Sequence, residues 1–352
     1  MATHFSNDLG ARGNGMTKRL LFGVVNAGVV HSELDRLDIA TKFQMVRDSG
    51  VFDYFDITPP AGHTQEYTEA SEKYGLPITA GGFYYRLGQD EILLRDHLRA
   101  CATLGTLVHN IQIITEDSDM RMVTNEQVAA LYIEMSELGK SYGVTPCFEV
   151  HVNMWSEHFG RVKQVADLVE AKGVKFNLTL DASHIIFKID NPEELMIQGM
   201  NHEVESGSIV LDPFAAGSIC QTWIDAGYVR HAHARSAVPN GPKNIWARHP
   251  DGLLGRAIQY PFAPPGPGEW HSEWCEVKLE PWKEVFRQLF RYHARNSSSS
   301  LATVSTEFIP FPDYGGGAKY SLFEQNVACA EWLRRTWLEE ERAAIKAGYP
   351  AG

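Results

Sequence analysis

Four positions in the chain carry side chains suited to one kind of chemistry: Glu149, Asp181, His233 and Glu307. Each closes a run of β-branched, aromatic or small residues of the kind that forms a strand. Because alternate residues of a strand face the same side, the inward set can be read by parity. Glu149, His151 and Asn153 share one face of 147–153. Asn177, Thr179 and Asp181 share one face of the next run, His231, His233 and Arg235 of the third, and Thr303, Ser305 and Glu307 of the fourth. Three carboxylates brought to one spot repel one another unless a cation neutralises them, so this set predicts a bound divalent ion. Oxygen donors with one imidazole and no thiolate nearby in sequence favour Mn²⁺, with Mg²⁺, Co²⁺ and Zn²⁺ as substitutes. The competing reading, a buried salt-bridge cluster, is weakened because Arg235 is the one cation at a matching strand end.

Around these four stand residues with two readings each. His184 follows Asp181 in Asp-Ala-Ser-His and either binds substrate or caps a helix. His151 is a candidate base or a hydrogen-bonding partner of Glu149. His231 lies one layer deeper, where a satisfied core histidine is the commoner outcome. Arg235 either binds a substrate oxygen or pairs with a carboxylate. Trp155, Trp246, Arg248, Trp270, His271 and Trp274 are expected on mouth loops, where aromatic rings stack on sugars or simply pack a loop. Of these, Trp155, Trp246 and Arg248 join His184 and Arg235 as expected substrate-binding residues.

The elements that must position these groups alternate. Expected strands are Leu20–Val30, Phe52–Thr58, Pro77–Phe83, Val108–Ile114, Pro146–Val152, Lys175–Leu180, Tyr228–Ala234 and Ala302–Phe308. Helical periodicity follows over Leu34–Ser49, Thr64–Tyr74, Asp90–Thr103, Asn125–Tyr142, Phe159–Ala171, Glu280–Arg295 and Ser321–Lys346. Two short helices, Pro192–Gly199 and Pro213–Asp225, fill the sixth interval. Eight βα pairs predict an α/β (β/α)₈ TIM barrel, whose sites lie at the carboxyl ends of its strands. A stretch of Pro, Gly and Trp residues over 236–278 exceeds an ordinary βα loop and reads as an insertion after strand seven. The expected layout is a flexible tail over 1–18 and one barrel domain over 19–352.

Bulk properties narrow the function. The 352 residues carry a net charge of −12 without a dense basic run, which argues against nucleic acid as a partner. Five widely spaced cysteines without a C-x-x-C pair argue against a disulfide framework, and no long apolar segment marks a signal peptide or a membrane span. A reducing cytoplasm is the expected compartment.

Glu at the end of strand five, Asp-x-x-His after strand six, His-x-His on strand seven and Glu on strand eight together resemble the xylose isomerase-like superfamily of sugar isomerases, sugar epimerases and endonuclease IV. The resemblance covers nearly the whole chain after Arg19. It implies metal ligation by Glu149, Asp181, His233 and Glu307, with His184 on the substrate or supporting the metal shell, and proton exchange by the two glutamates. Trp155 and Pro239 stand where ketohexose epimerases carry a second substrate glutamate and an arginine. The expected third strand lacks a histidine, so one metal fits better than the trinuclear zinc site of endonuclease IV.

A metal beside a carbonyl stabilises the negative charge left when a neighbouring C–H proton departs, the step shared by isomerisation, epimerisation and β-elimination. The expected function is therefore proton abstraction alpha to the carbonyl of a sugar or keto-sugar. The Phe-Glu-Val-His strand also resembles the large subunit of C-glycoside deglycosidases, lyases of 3-oxo-glycosides. That likeness implies a glycoside substrate, a small partner subunit and His151 as base; a homo-oligomer is a further expectation. The alternatives are a catalytically silent, metal-stabilised binding or assembly subunit and, more weakly, an endonuclease IV-like phosphodiesterase.

Overall fold

Tyr54, Phe55, Val24 and Ile78 show what builds the barrel wall: β-branched and aromatic residues that pack on both faces of a parallel strand and are wholly or almost wholly buried here. The computed structural model describes residues 19–349; the tail expected over 1–18 lies outside them. Eight parallel strands close on themselves. These are β1 (Leu21–Val25), β2 (Tyr54–Asp56), β3 (Ile78–Tyr85), β4 (Val108–Ile113), β5 (Thr145–Glu149), β6 (Leu178–Asp181), β7 (Val229–Ala234) and, eighth in the barrel, β10 (Thr303–Thr306). Between β7 and β10 the insertion folds its own antiparallel hairpin, β8 (Asn244–Arg248) with β9 (Leu254–Gly255).

The outer layer comprises α1 (Ile39–Ser49), α2 (Thr64–Tyr74), α3 (Glu91–Leu104), α4 (Asn125–Tyr142), α5 (Phe159–Glu170), α6 (Ser183–Ile186), α7 (Pro192–Met196), α8 (Asn201–Glu205), α9 (Ile219–Asp225), α10 (Glu280–Arg295) and α11 (Leu322–Lys346). Local chemistry sets their ends. Thr124 and Gln127 close a reciprocal capping box on α4, and Gly143 ends that helix at φ 72°, in the left-handed region that favours glycine. The apolar stripe Trp282, Val285, Phe286, Leu289 and Phe290 of α10 is buried against the barrel.

Several expected boundaries shift. The first helix starts at Ile39, because the Asp38 carboxylate accepts from the Thr41 backbone N–H and caps it there, and the chain from Leu34 to that point is irregular. The last helix of the sixth interval starts at Ile219 behind a Ser218 cap, and a third short helix, α8, precedes it. β5 ends at Glu149 rather than Val152, so His151 and Asn153 leave the ladder, Asn153 at φ 62°. Parity cannot govern side chains beyond that point.

Between β4 and α3 lies a buried polar group unrelated to the barrel mouth. The Tyr85 hydroxyl is 2.7 Å from both His97 Nδ1 and His109 Nε2, and His109 Nδ1 is 3.5 Å from Cys101 Sγ. Burial, with the nearby His97 ring, pushes the His109 imidazole down to about 3. An unfolded histidine titrates near ~6.5, and above that pH the ring is neutral in both states. Below it the unfolded chain takes up a proton that the folded chain refuses, so stability falls with pH until the folded ring titrates too. Urea unfolding between pH 6.5 and 4 is expected to lose up to about 1.4 kcal/mol per pH unit more than in a His109→Gln chain. Equal slopes in the two chains would remove His109 as the source.

Candidate metal centre

Register brings the four candidate ligands together. Asp181 on β6 lies opposite His233 on β7, and His233 lies opposite Ser305 on β10, two residues before Glu307. Glu149 on β5 lies opposite Thr179, two residues before Asp181. One donor atom from each of Glu149, Asp181, His233 and Glu307 lies within 4.8 Å of the others, and all four residues are buried. His233 Nδ1 is 2.9 Å from Glu149 Oε1 and 3.2 Å from Glu307 Oε2. Asn110 and Gln112, from adjacent turns of the β4 pleat, both donate to Glu149 Oε2.

Arg235 is wholly buried and pairs with two of these carboxylates. One arm of its guanidinium meets Asp181 Oδ2 and the other lies 3.0 Å from Glu307 Oε2. Of the two readings left open for it, carboxylate pairing is the one this geometry takes. Its first arm also donates to His184 Nε2 at 2.9 Å, which makes that nitrogen an acceptor and leaves the proton on Nδ1. Burial, reinforced by the His151 ring and Arg235, holds His184 well below the usual histidine range, so the ring is neutral. Burial works against a charged His233 as well, but the Glu307 and Glu149 carboxylates outweigh it and raise that ring.

These residues fit a divalent ion. Three carboxylates against one guanidinium leave two negative charges in a desolvated cluster, a balance that one dication closes with His233 neutral. The donors are carboxylate oxygens and one imidazole nitrogen, suited to a hard or borderline metal.

A cavity of about 340 Å³ opens beside the cluster on the β1–β4 side. Among its lining residues are Asp56, Asn110, Gln112, His233 and Glu307, and Phe83, Tyr84 and Phe311 add aromatic surface. The opposite flank is filled. The Tyr314 ring lies 4.1 Å from the Arg235 guanidinium carbon, and its hydroxyl is 3.1 Å from His151 Nε2. His151 Nδ1 donates to the Val152 carbonyl at 2.6 Å, so its Nε2 accepts from Tyr314, and its ring lies 4.2 Å from that of His184. His151 therefore stands behind Tyr314 and is not among the cavity's lining residues.

The expected mouth aromatics are placed elsewhere. Trp155 is a core residue, 1% exposed with its ring edge-on to Phe148, in the short 3-10 turn that follows β5. Trp246 packs against Trp270 and His271, and Trp274 lies over a small cluster of Val238, Tyr260 and Leu279. Arg248 is exposed, with a contact to the Gly252 carbonyl, and lines a separate cavity of about 600 Å³ with Lys243, His249 and Arg256. None of these side chains is among those lining the cavity beside the cluster.

Buried ion pairs fasten the insertion. Arg256 reaches Glu157 at 2.8 Å and also meets Glu194, while Lys188 lies 2.9 Å from Glu157. Burial opposes ionisation of Glu157, yet Lys188 and Arg256 bring it down to about 2. Gly255 leaves no room for a side chain, since a Cβ there would fall 1.7 Å from the Pro312 carbonyl oxygen.

Sequence reasoning missed Asp56, Asn110, Gln112 and Tyr314. The first three had a signal, being polar residues that alternate with apolar ones on predicted strands. Tyr314 had none, since it sits in an irregular segment after β10.

No family model and no curated protein matches the chain. Solved structures do. The closed eight-stranded parallel barrel has the fold of solved xylose isomerase-like TIM barrels. A xylose isomerase-like TIM barrel protein from Mycobacterium smegmatis in complex with magnesium is 11% identical, with 92% of this chain and 97% of that chain covered at a TM-score of 0.55. The IolI protein with a bound zinc atom is 13% identical over 92% of this chain and 99% of its own, at 0.52. D-allulose 3-epimerase from Methylomonas sp. in complex with D-allulose is 12% identical over 92% and 100%, at 0.52. At such identities the likeness is one of fold.

Proposed function

We propose that this protein is a divalent-metal-dependent enzyme that removes a proton from the carbon next to the carbonyl of a sugar or keto-sugar. The observation that carries this reading is the convergence of Glu149, Asp181, His233 and Glu307 on one buried point at the edge of a cavity lined by polar and aromatic side chains. A bound dication supplies Lewis acidity, which stabilises the negative charge that develops on the substrate's carbonyl oxygen. Two neighbours support the reading by name, one an allulose 3-epimerase in complex with its sugar and the other a protein in complex with magnesium.

The chain's own residues divide the remaining work. Glu307 lines the cavity and is the base best placed for the proton, whereas both oxygens of Glu149 are occupied by Asn110, Gln112 and His233. Arg235 holds Asp181 and Glu307 in place, and the Asn110 and Gln112 amides keep the Glu149 carboxylate turned to the centre. His151 orients Tyr314, whose ring closes the flank over Arg235. In the finer version of the reading the substrate is a 3-oxo-glycoside and the leaving group is a flat aglycone. Phe83, Tyr84 and Phe311 would then form the aromatic wall expected of the loop tryptophans. Mn²⁺ is the proposed ion.

The test is proton exchange by NMR in D₂O, with the Mn²⁺-reconstituted chain and a panel of ketoses, aldoses and 3-oxo-glycosides. Deuterium should enter the carbon next to the carbonyl of at least one compound, and the product separates isomerase, epimerase and lyase. Tight stoichiometric metal without exchange in any compound would sink the reading in favour of a silent metal-stabilised subunit.

A further inference from the structure

His233 is flanked by carboxylates on both sides. Its Nδ1 faces Glu149 and Glu307, while its Nε2 points the other way, deeper into the barrel, toward Asp56 Oδ2 at 3.8 Å. His231 Nε2 points at the same oxygen from 3.5 Å. Neither nitrogen has a hydrogen-bond partner, although His231 is wholly buried and His233 only 4% exposed. Two orphaned imidazole nitrogens aimed at one buried carboxylate call for an explanation.

The polarity of the groups sharpens the question. His231 Nδ1 lies 2.8 Å from the Thr303 hydroxyl and 3.1 Å from the Thr303 carbonyl oxygen; the carbonyl can only accept, and a proton on Nδ1 satisfies both contacts. Neutral His231 therefore turns a lone pair toward the Asp56 carboxylate, and two acceptors face each other across 3.5 Å. That distance is too long for a hydrogen bond. It matches the edge of a tetrahedron of donors around an ion bonded at about 2.0–2.1 Å, for which ligand atoms stand roughly 3.4 Å apart. Asp56, His231 and His233 each offer an atom within 4.8 Å of the others. Asp56 is steadied by the Ser305 hydroxyl, itself 2.7 Å from that of Tyr54. Asp56 and His233 also line the cavity, so an ion can enter and keep a position open toward it.

We infer that Asp56, His231 and His233 form a second divalent-cation site, inward of the first. Two imidazoles and one carboxylate are a nitrogen-rich set suited to Zn²⁺ or Co²⁺, unlike the carboxylate-rich outer set. The inner site does not depend on the outer one. With both sites filled, His233 would offer Nδ1 to the outer set and Nε2 to the inner one, and would have to give up its remaining ring proton to solvent.

The test is metal counting by mass spectrometry on the chelator-stripped chain after reconstitution with Zn²⁺ and Mn²⁺ together, followed by dialysis. The intact chain should hold two ions, one of them zinc. Asp56→Asn and His231→Gln should each retain only the outer ion, and Asp181→Asn only the inner zinc, with circular dichroism unchanged. Titration of the unmodified chain with Co²⁺ reads the same count from its d–d bands without relying on any variant. A single ion that survives Asp181→Asn and vanishes with Asp56→Asn would keep the inner site and sink the outer one. A single ion that survives Asp56→Asn and His231→Gln would overturn this proposal and reduce Asp56 to orienting His233.

Discussion

Glu307→Gln is expected to lower α-proton exchange by at least about 10³-fold, because it removes a proposed ligand and the proposed base in one change. Asp181→Asn separates the two roles. It weakens binding of the outer ion by more than the 10–100-fold typical of losing a supporting residue, but leaves Glu307 in place. Raising Mn²⁺ to saturation should therefore recover much of the exchange in Asp181→Asn and little in Glu307→Gln. The measurement is the deuterium-incorporation rate against Mn²⁺ concentration in the three chains. Equal recovery in both variants would strip Glu307 of the base role and leave it a ligand only.

The second large effect concerns stability. Arg235 is wholly buried, bridges Asp181 and Glu307, and lies under the Tyr314 ring. Removing one partner of such a cluster leaves unpaired charge in a desolvated place, which costs about 3–5 kcal/mol. Arg235→Met keeps the volume and deletes the charge, so the metal-free chain should lose roughly that much in urea unfolding. With the outer ion bound, the same carboxylates keep a positive partner, and the loss should shrink to about 1–2 kcal/mol. A loss unaffected by the ion would show that packing, not charge, is what Arg235 contributes.

How far the sequence could be read follows from where each residue sits. Glu149, Asp181, His233 and Glu307 lie in or next to ladders, where the two-residue period fixes direction, and the eight βα repeats were legible for the same reason. His151 was misplaced because β5 ends at Glu149 and the chain turns left-handed at Asn153, which breaks the parity used to aim it, and Trp155, expected on a mouth loop, is buried in the turn that follows. The tryptophans of the insertion suggested a ligand wall by composition alone. Their positions depend on the β8–β9 hairpin and on long-range ion pairs such as Arg256 with Glu157, for which no local pattern exists. Asp56 shared its strand parity with Tyr54, but nothing in its own run marked it apart from Asp53. Its meaning emerges only when β2 is brought across the lumen from β7.

The fastening of the insertion has a consequence for how the molecule trades with solvent. Arg256, Glu157, Lys188 and Glu194 clamp that side of the mouth with buried charges, and Gly255 lies hard against Pro312. Such a wall cannot swing aside without exposing unpaired ions, whereas the cavity beside the cluster opens on the opposite rim, past Phe83, Tyr84 and Phe311. Tyr84 and Phe311 are half exposed there, at 54% and 51%. Among the described residues, the width of that opening, rather than any rearrangement of the insertion, would then set the largest molecule this cavity admits.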